Sequence, residues 1–163
     1  MDAITALKTR RSIRTYRPGP IPRQTLADLV DCARLAPTAM NQQQWEFLIA
    51  TNPETLAAVG QLIPHARFLP GAAAVIAVLS RDNTYWVEDA SAATTNLLLA
   101  AHAHGLGACW VAAEKQSYAD PVRDLLGAPA DHRLLCLVTV GHPAEDPVIE
   151  KRPLESVLHW ETF

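Results

Sequence analysis

Ala74-Val75-Ile76-Ala77-Val78-Leu79, followed after a polar turn by the stretch Tyr85–His104, decides the fold. The first is a continuous apolar run rich in β-branched residues, which reads as a strand buried on both faces. The second reads as a long helix, mostly apolar after Ala90 and ended by Gly105. A buried strand beside a long apolar helix implies a sheet sandwiched by helices. Upstream, Trp45–Ala50 reads as a strand, and Pro53 opens a helix reaching about Ile63. Leu26, Leu29, Val30 and Ala33 recur at helical spacing until Pro37. Residues 2–14 read as a helix with Asp2 as its N-cap, and Arg17–Pro22 as a stiff proline-rich connector. Downstream come a short strand over Ala108–Ala112, a short helix from Asp120-Pro121 to Gly127, and a strongly apolar strand over Leu134–Val140. A mixed, Pro-interrupted tail follows from Glu150 to Phe163. Helices interleaved with about four strands make the class α/β or α+β.

The 163 residues contain no linker, repeat or low-complexity tract, so one domain over residues 1–163 is expected. A net charge of -3 leaves no basic excess for a nucleic-acid partner. The N-terminus lacks a signal-peptide core, and the apolar run from Ala72 to Leu79 is too short for a bilayer. No membrane partner and a cytoplasmic location are therefore expected. Cys32, Cys109 and Cys136 lie in apolar segments without CxxC spacing and read as buried inert thiols. His102 and His104 point to opposite sides of one helix, so no metal site is expected.

Three arginines fall in Arg10-Arg11-Ser12-Ile13-Arg14. Guanidiniums bind phosphate oxygens bidentately and a hydroxyl adds a short hydrogen bond, so this cluster suits a phosphate monoester. The competing reading is a solvated helix end, where positive charge is favourable anyway. Lys151-Arg152 has the same two readings, and could close a second cationic jaw if the tail folds back. Thr38–Gln44 is rich in side-chain amides that can donate and accept, either a solvated loop or partners for a heterocycle. Gly105-Leu106-Gly107 follows a helix and precedes a strand, the reverse of a dinucleotide-binding turn. The strand after it offers backbone amides from Trp110 to Ala113, with Ala112 and Ala113 small enough for a flat ring to approach. Asp89 reads as a carboxylate placed well for the helix dipole, and Asn96 as an internal hydrogen-bonding group. No catalytic side-chain constellation is evident, which suits an enzyme whose chemistry an organic cofactor carries.

Taken in order, Arg-Arg-Ser-Ile-Arg-Thr-Tyr (10–16), Ala-Pro-Thr-Ala-Met-Asn-Gln-Gln-Gln-Trp (36–45), Glu-Asp-Ala-Ser-Ala-Ala-Thr-Thr-Asn (88–96), Gly-Leu-Gly-Ala-Cys-Trp (105–110), Val-Gly-His-Pro (140–143) and Lys-Arg-Pro-Leu (151–154) with Val-Leu-His-Trp (157–160) resemble the FMN-dependent nitroreductase family across essentially the whole chain. The resemblance implies an α+β fold, with a mostly antiparallel central sheet flanked by helices. It implies a homodimer with FMN at the interface and a C-terminal tail that embraces the partner. By position, Arg10, Arg11 and Ser12 match the holders of the FMN phosphate and ribityl chain, and Arg14 the basic residue at the flavin pyrimidine edge. Pro37, Thr38, Ala39, Asn41 and Gln43 match a loop that reaches the flavin from the other subunit. Trp110, Val111, Ala112 and Ala113 match the strand behind the ring, Lys151 and Arg152 the C-terminal phosphate contacts, and Arg67 a further basic contact. The implied activity is a ping-pong transfer from NADH or NADPH to a nitroaromatic, quinone or similar acceptor. Flavin- and oxygen-dependent fragmentation or dehalogenation, and a non-catalytic flavin sensor, are the alternatives. Gln44 replaces the usual Pro, Ala39 a common Ser, and Ala112-Ala113 a pair usually containing Gly.

Overall fold

The computed structural model describes residues Met1–Phe163. Strands β1 (Tyr16–Arg17), β2 (Trp45–Ala50), β3 (Ala74–Arg81), β4 (Gly107–Ala112) and β5 (His132–Pro143) form one sheet. β5 is its hub. It pairs with β3, β4 and β1, every pairing is antiparallel, and β2 extends the sheet beyond β3. Helices α1 (Ala3–Thr9), α2 (Arg23–Ala33), α3 (Pro53–Leu62), α4 (Trp86–Ala103) and α5 (Ala119–Leu125) complete an α+β architecture.

Side chains of β3 alternate between two cores, as the period of a strand requires. Ala74, Ile76 and Val78 pack with Leu26, Leu29, Ala90, Ala93 and Leu97 from α2 and α4. Val75, Ala77 and Leu79 pack on the other face with Leu56, Val59 and Val122 from α3 and α5. Both faces of β3 are therefore buried, which explains its unbroken apolar run. Small residues along α4, such as Ala90, Ala93 and Ala101, let the sheet and α2 approach it closely.

The elements follow the sequence expectations with physical exceptions. Asp2 does cap α1, its carboxylate accepting from the Thr5 N–H at 3.0 Å, but the helix stops at Thr9. Residues 10–14 are extended instead of helical, because Ser12 and Ile13 bridge to Ala108 at the sheet edge. β1 is only two residues long and carries no readable period. Cys109 and Cys136 are buried as expected, whereas Cys32 is exposed in a groove that α2 shares with α1 and α4. Asn96 lies half-buried and donates to the Cys32 carbonyl at 3.3 Å, a backbone partner as expected but at the surface of a groove instead of inside. Gly105 ends α4 at φ +73, a left-handed conformation that favours glycine.

Candidate functional site

The extended Arg10–Arg14 segment runs beside β4, and Gly107 makes the approach possible. A Cβ there would lie 2.8 Å from Ile13, inside van der Waals contact. Half-buried Arg10 and Arg11 line a cavity of about 290 Å³ together with Thr9, His102, Gly107 and Glu145. Arg11 also donates to the carbonyls of Lys8 at 3.0 Å and Arg10 at 2.9 Å, capping the C-terminal end of α1. Neither the Arg10 nor the Arg14 guanidinium forms an ion pair. The two readings of the cluster thus coexist: Arg11 is a helix-end cation, and Arg10 and Arg14 are uncommitted positive charges.

His102 fixes the back of the cavity. The Thr9 hydroxyl donates its one hydrogen to the Thr5 carbonyl at 2.7 Å. Its contact with His102 Nε2, also 2.7 Å, therefore requires the histidine to donate. Burial, and then the charges of Arg10 and Arg11, hold the imidazole below its ordinary pKa. Glu145 anchors the other end of the segment, accepting from the N–H groups of Arg14 and Thr15 at 2.5 and 2.9 Å. Those backbone bonds, the Arg14 one first, hold its carboxyl below the usual range. Sequence reading weighs His102 only as a metal ligand and does not single out Glu145, because each acts through partners remote along the chain.

Beyond Ala108 the outer edge of β4 is open. The Ala113 N–H donates to Leu135 O at 3.0 Å, which sets the phase of the ladder. Residues 107, 109, 111 and 113 face β5, and 108, 110 and 112 face outward. The Ala108 carbonyl accepts from Ile13 N–H and the Ala112 carbonyl from the Tyr118 hydroxyl, leaving the N–H groups of Trp110 and Ala112 on the edge. The row of available amides is narrower than Trp110–Ala113, since Val111 and Ala113 direct theirs into the sheet. Around Cys109 burial raises the thiol pKa, against the opposing influence of Arg14, the Ser12 hydroxyl and Arg10. The Ser12–Ala108 bridge, with Ile13 N–H bonded to the Ala108 carbonyl, is what holds the segment of Arg10–Arg14 against β4.

The amide loop lies elsewhere. Ala39–Asn41 form a 3-10 turn, and Met40, Asn41 and Gln43 adopt left-handed φ values of 53, 55 and 51. Each such non-glycine residue costs on the order of 1 kcal/mol. Ala39 N–H donates to Asp89 in the first turn of α4 at 2.9 Å. His102 occupies the last turn of the same helix, so loop and arginine cavity are about 20 Å apart along α4. Lys151 and Arg152 are exposed, and Arg152 donates within the tail to Ser156 O at 3.0 Å. Neither lines the arginine cavity. Arg67 lies beside α3, on the opposite face of the sheet from α4, in a separate depression with Gly60 and Pro70. One chain therefore assembles Arg10, Arg11, Ser12, Arg14 and the β4 edge. It leaves Pro37–Gln43, Arg67 and Lys151-Arg152 apart from them.

The model of the nitroreductase family matches residues 7–66 and 64–142. The chain belongs to the nitroreductase family. A Methanothermobacter thermautotrophicus protein provisionally named an NADH dehydrogenase/NAD(P)H nitroreductase is 33% identical over 153 residues, covering 90% of this chain and 80% of its own. Among solved nitroreductase structures, an FMN-dependent nitroreductase from Clostridium difficile superposes with a TM-score of 0.90 at 28% identity, covering 98% of this chain and 99% of that one. A provisionally named nitroreductase from Desulfovibrio desulfuricans, solved in complex with FMN, superposes at 0.88 with 26% identity, over 100% and 99% of the two chains. This nitroreductase has an antiparallel sheet between helices, as its sequence resemblance implied. No helix is long and apolar enough to cross a membrane.

Proposed function

We propose that this chain is an FMN-dependent oxidoreductase that takes reducing equivalents from NADH or NADPH and passes them to a nitroaromatic, quinone or similar acceptor. One observation carries the reading: the Ser12–Ala108 bridge lays a cationic segment beside an open β4 edge, at the mouth of the cavity lined by Arg10 and Arg11. That donor set fits a phosphate ester joined to a flat heterocycle. Bound FMN would supply the two-electron redox chemistry that the side chains lack.

In this reading Arg10, Arg11 and Ser12 hold the phosphate and ribityl chain. The N–H groups of Trp110 and Ala112 face the ring, and Arg14 stands at its pyrimidine edge. A cation there stabilises the negative charge of the reduced state more than the neutral oxidised state. The distance of about 20 Å along α4 is hard to reconcile with Asn41 and Gln43 serving the same chain's arginine cavity. They serve the site of a second copy in a homodimer, to which the tail adds Lys151 and Arg152. Exposed apolar side chains at Leu154, Val157, Leu158, Trp160 and Phe163 support a tail that packs on a partner.

Titration with FMN and riboflavin tests the phosphate assignment. FMN should bind about tenfold or more tightly, the scale of a hydrogen bond to a charged group. Equal affinities would overturn the assignment. Anaerobic addition of NADH or NADPH should bleach the bound flavin, and a flavin left oxidised by both would reduce the function to cofactor binding alone.

A further inference from the structure

Asp89 is a buried carboxylate for which the dipole of α4 gives no sufficient reason. Its neighbour Glu88 shares the first turn but stays exposed at the surface, whereas Asp89 is only 7% exposed. No cation pairs with it. One carboxylate oxygen accepts from Ala39 N–H at 2.9 Å, and the other is buried without a partner. An unpaired buried carboxylate opposes folding. Its single protein partner is the first residue of the turn in which Met40, Asn41 and Gln43 are left-handed. Within the loop, the Thr38 hydroxyl and the Thr38 and Ala39 carbonyls accept from Gln43, Asn41 and Gln42. Those bonds close the turn on itself. Only the Asp89 bond among them ties it to a helix.

We infer that Asp89 is the positioning residue of the amide loop: its hydrogen bond from Ala39 N–H fixes the strained turn on α4, so that Asn41 and Gln43 are presented in one arrangement to the cofactor. The inference rests on the FMN reading above. Asp89 itself touches no cofactor in this account. A loop without the anchor relaxes toward ordinary backbone conformations, and the ordering cost then falls on cofactor binding.

The bond can be cut from either side. Asp89→Ala removes the acceptor, and Asp89→Asn keeps an acceptor oxygen while removing the charge. Ala39→Pro removes the donor at the first position of the turn, where proline is favoured. Ala39 opens the turn and Thr38 before it is extended at φ -130, ψ 152, as a residue preceding proline should be. FMN dissociation constants and the visible band shape of bound flavin are measured on purified holoprotein, well below the unfolding temperature. Asp89→Ala and Ala39→Pro should each weaken FMN by about tenfold or more and alter the band shape, the scale of a lost bond to a charged group. Asp89→Asn should stay within about threefold. The double variant should match the weaker single, because both remove one bond. Wild-type FMN affinity in Ala39→Pro, or full additivity in the double variant, overturns the inference. Ala39→Pro decides alone if Asp89→Ala does not fold. Wild-type protein that takes up no FMN overturns the cofactor reading itself, whereas FMN-binding wild type with unchanged variants overturns only the role of Asp89.

Discussion

Arg11 and Arg14 sit three residues apart and do different work. Arg11 caps α1 through two backbone carbonyls and lines the cavity, whereas the Arg14 guanidinium is unpaired and exposed while Glu145 holds its N–H. Arg11→Ala should therefore weaken FMN by about 1.5–3 kcal/mol with little change in potential once the site is saturated. Arg14→Ala should lower the flavin midpoint potential more than it weakens oxidised FMN. Equal effects of the two variants in paired titrations of affinity and potential would erase the distinction. His102 gives a pH response of definite sign. Burial, and then the charges of Arg10 and Arg11, lower its folded pKa below the unfolded value of about 6.5. Its contribution is fully present above that value and is lost as pH falls through the folded one. His102→Gln keeps a donor for Thr9 and removes the titration, so its melting temperature should fall less than wild type between pH 7.5 and 5. The arginines are legible in the sequence because three cations are concentrated there. The Asp89 bond is not, since it joins residues 50 positions apart.

At the scale of elements, close approach between backbone and side chain sets the tolerances. A Cβ at Gly141 in β5 would lie 2.6 Å from the Tyr16 ring. Tyr16 lies against β5 with its hydroxyl 2.6 Å from the Ile13 carbonyl and 2.7 Å from Thr139. Gly141→Ala should displace the ring and cost roughly 1–3 kcal/mol, the range for overpacking. Denaturant unfolding with an unchanged midpoint would show that β1 yields freely. Strands β2, β3 and β5 and helices α3 and α4 are readable from apolar period and from turn residues such as Pro53 and Gly105, because those signals are local. The end of α1 is not. Arg10–Arg14 could continue a helix on propensity, and the bridge of Ser12 to Ala108 decides otherwise. The exposure of Cys32 is illegible for a related reason: an apolar neighbourhood in sequence does not reveal that the groove between α2, α1 and α4 stays open.

Across the whole molecule, apolar surface accumulates where one chain has nothing to cover it. Met1, Leu7 and Leu35 are exposed around a groove that also includes Leu99 and Ala103, and the tail exposes Leu154, Trp160 and Phe163. If the proposed homodimer holds, deleting residues 147–163 should leave a monomer and release FMN, which light scattering and flavin absorbance would register together. A truncated chain that stays dimeric with flavin bound would remove the tail from both roles. How the tail is used is legible only through the family resemblance, since its residues make few contacts of their own. The position of β5 carries a further consequence. The last strand in sequence is the hub of the sheet, so β3 has its β2 partner but lacks the other neighbour until roughly sixty more residues emerge. At about 5–20 residues per second of synthesis, that leaves an apolar strand edge open for several seconds. Ribosome-bound chains ending before His132 should therefore engage holdase chaperones, and release them once Pro143 clears the exit tunnel.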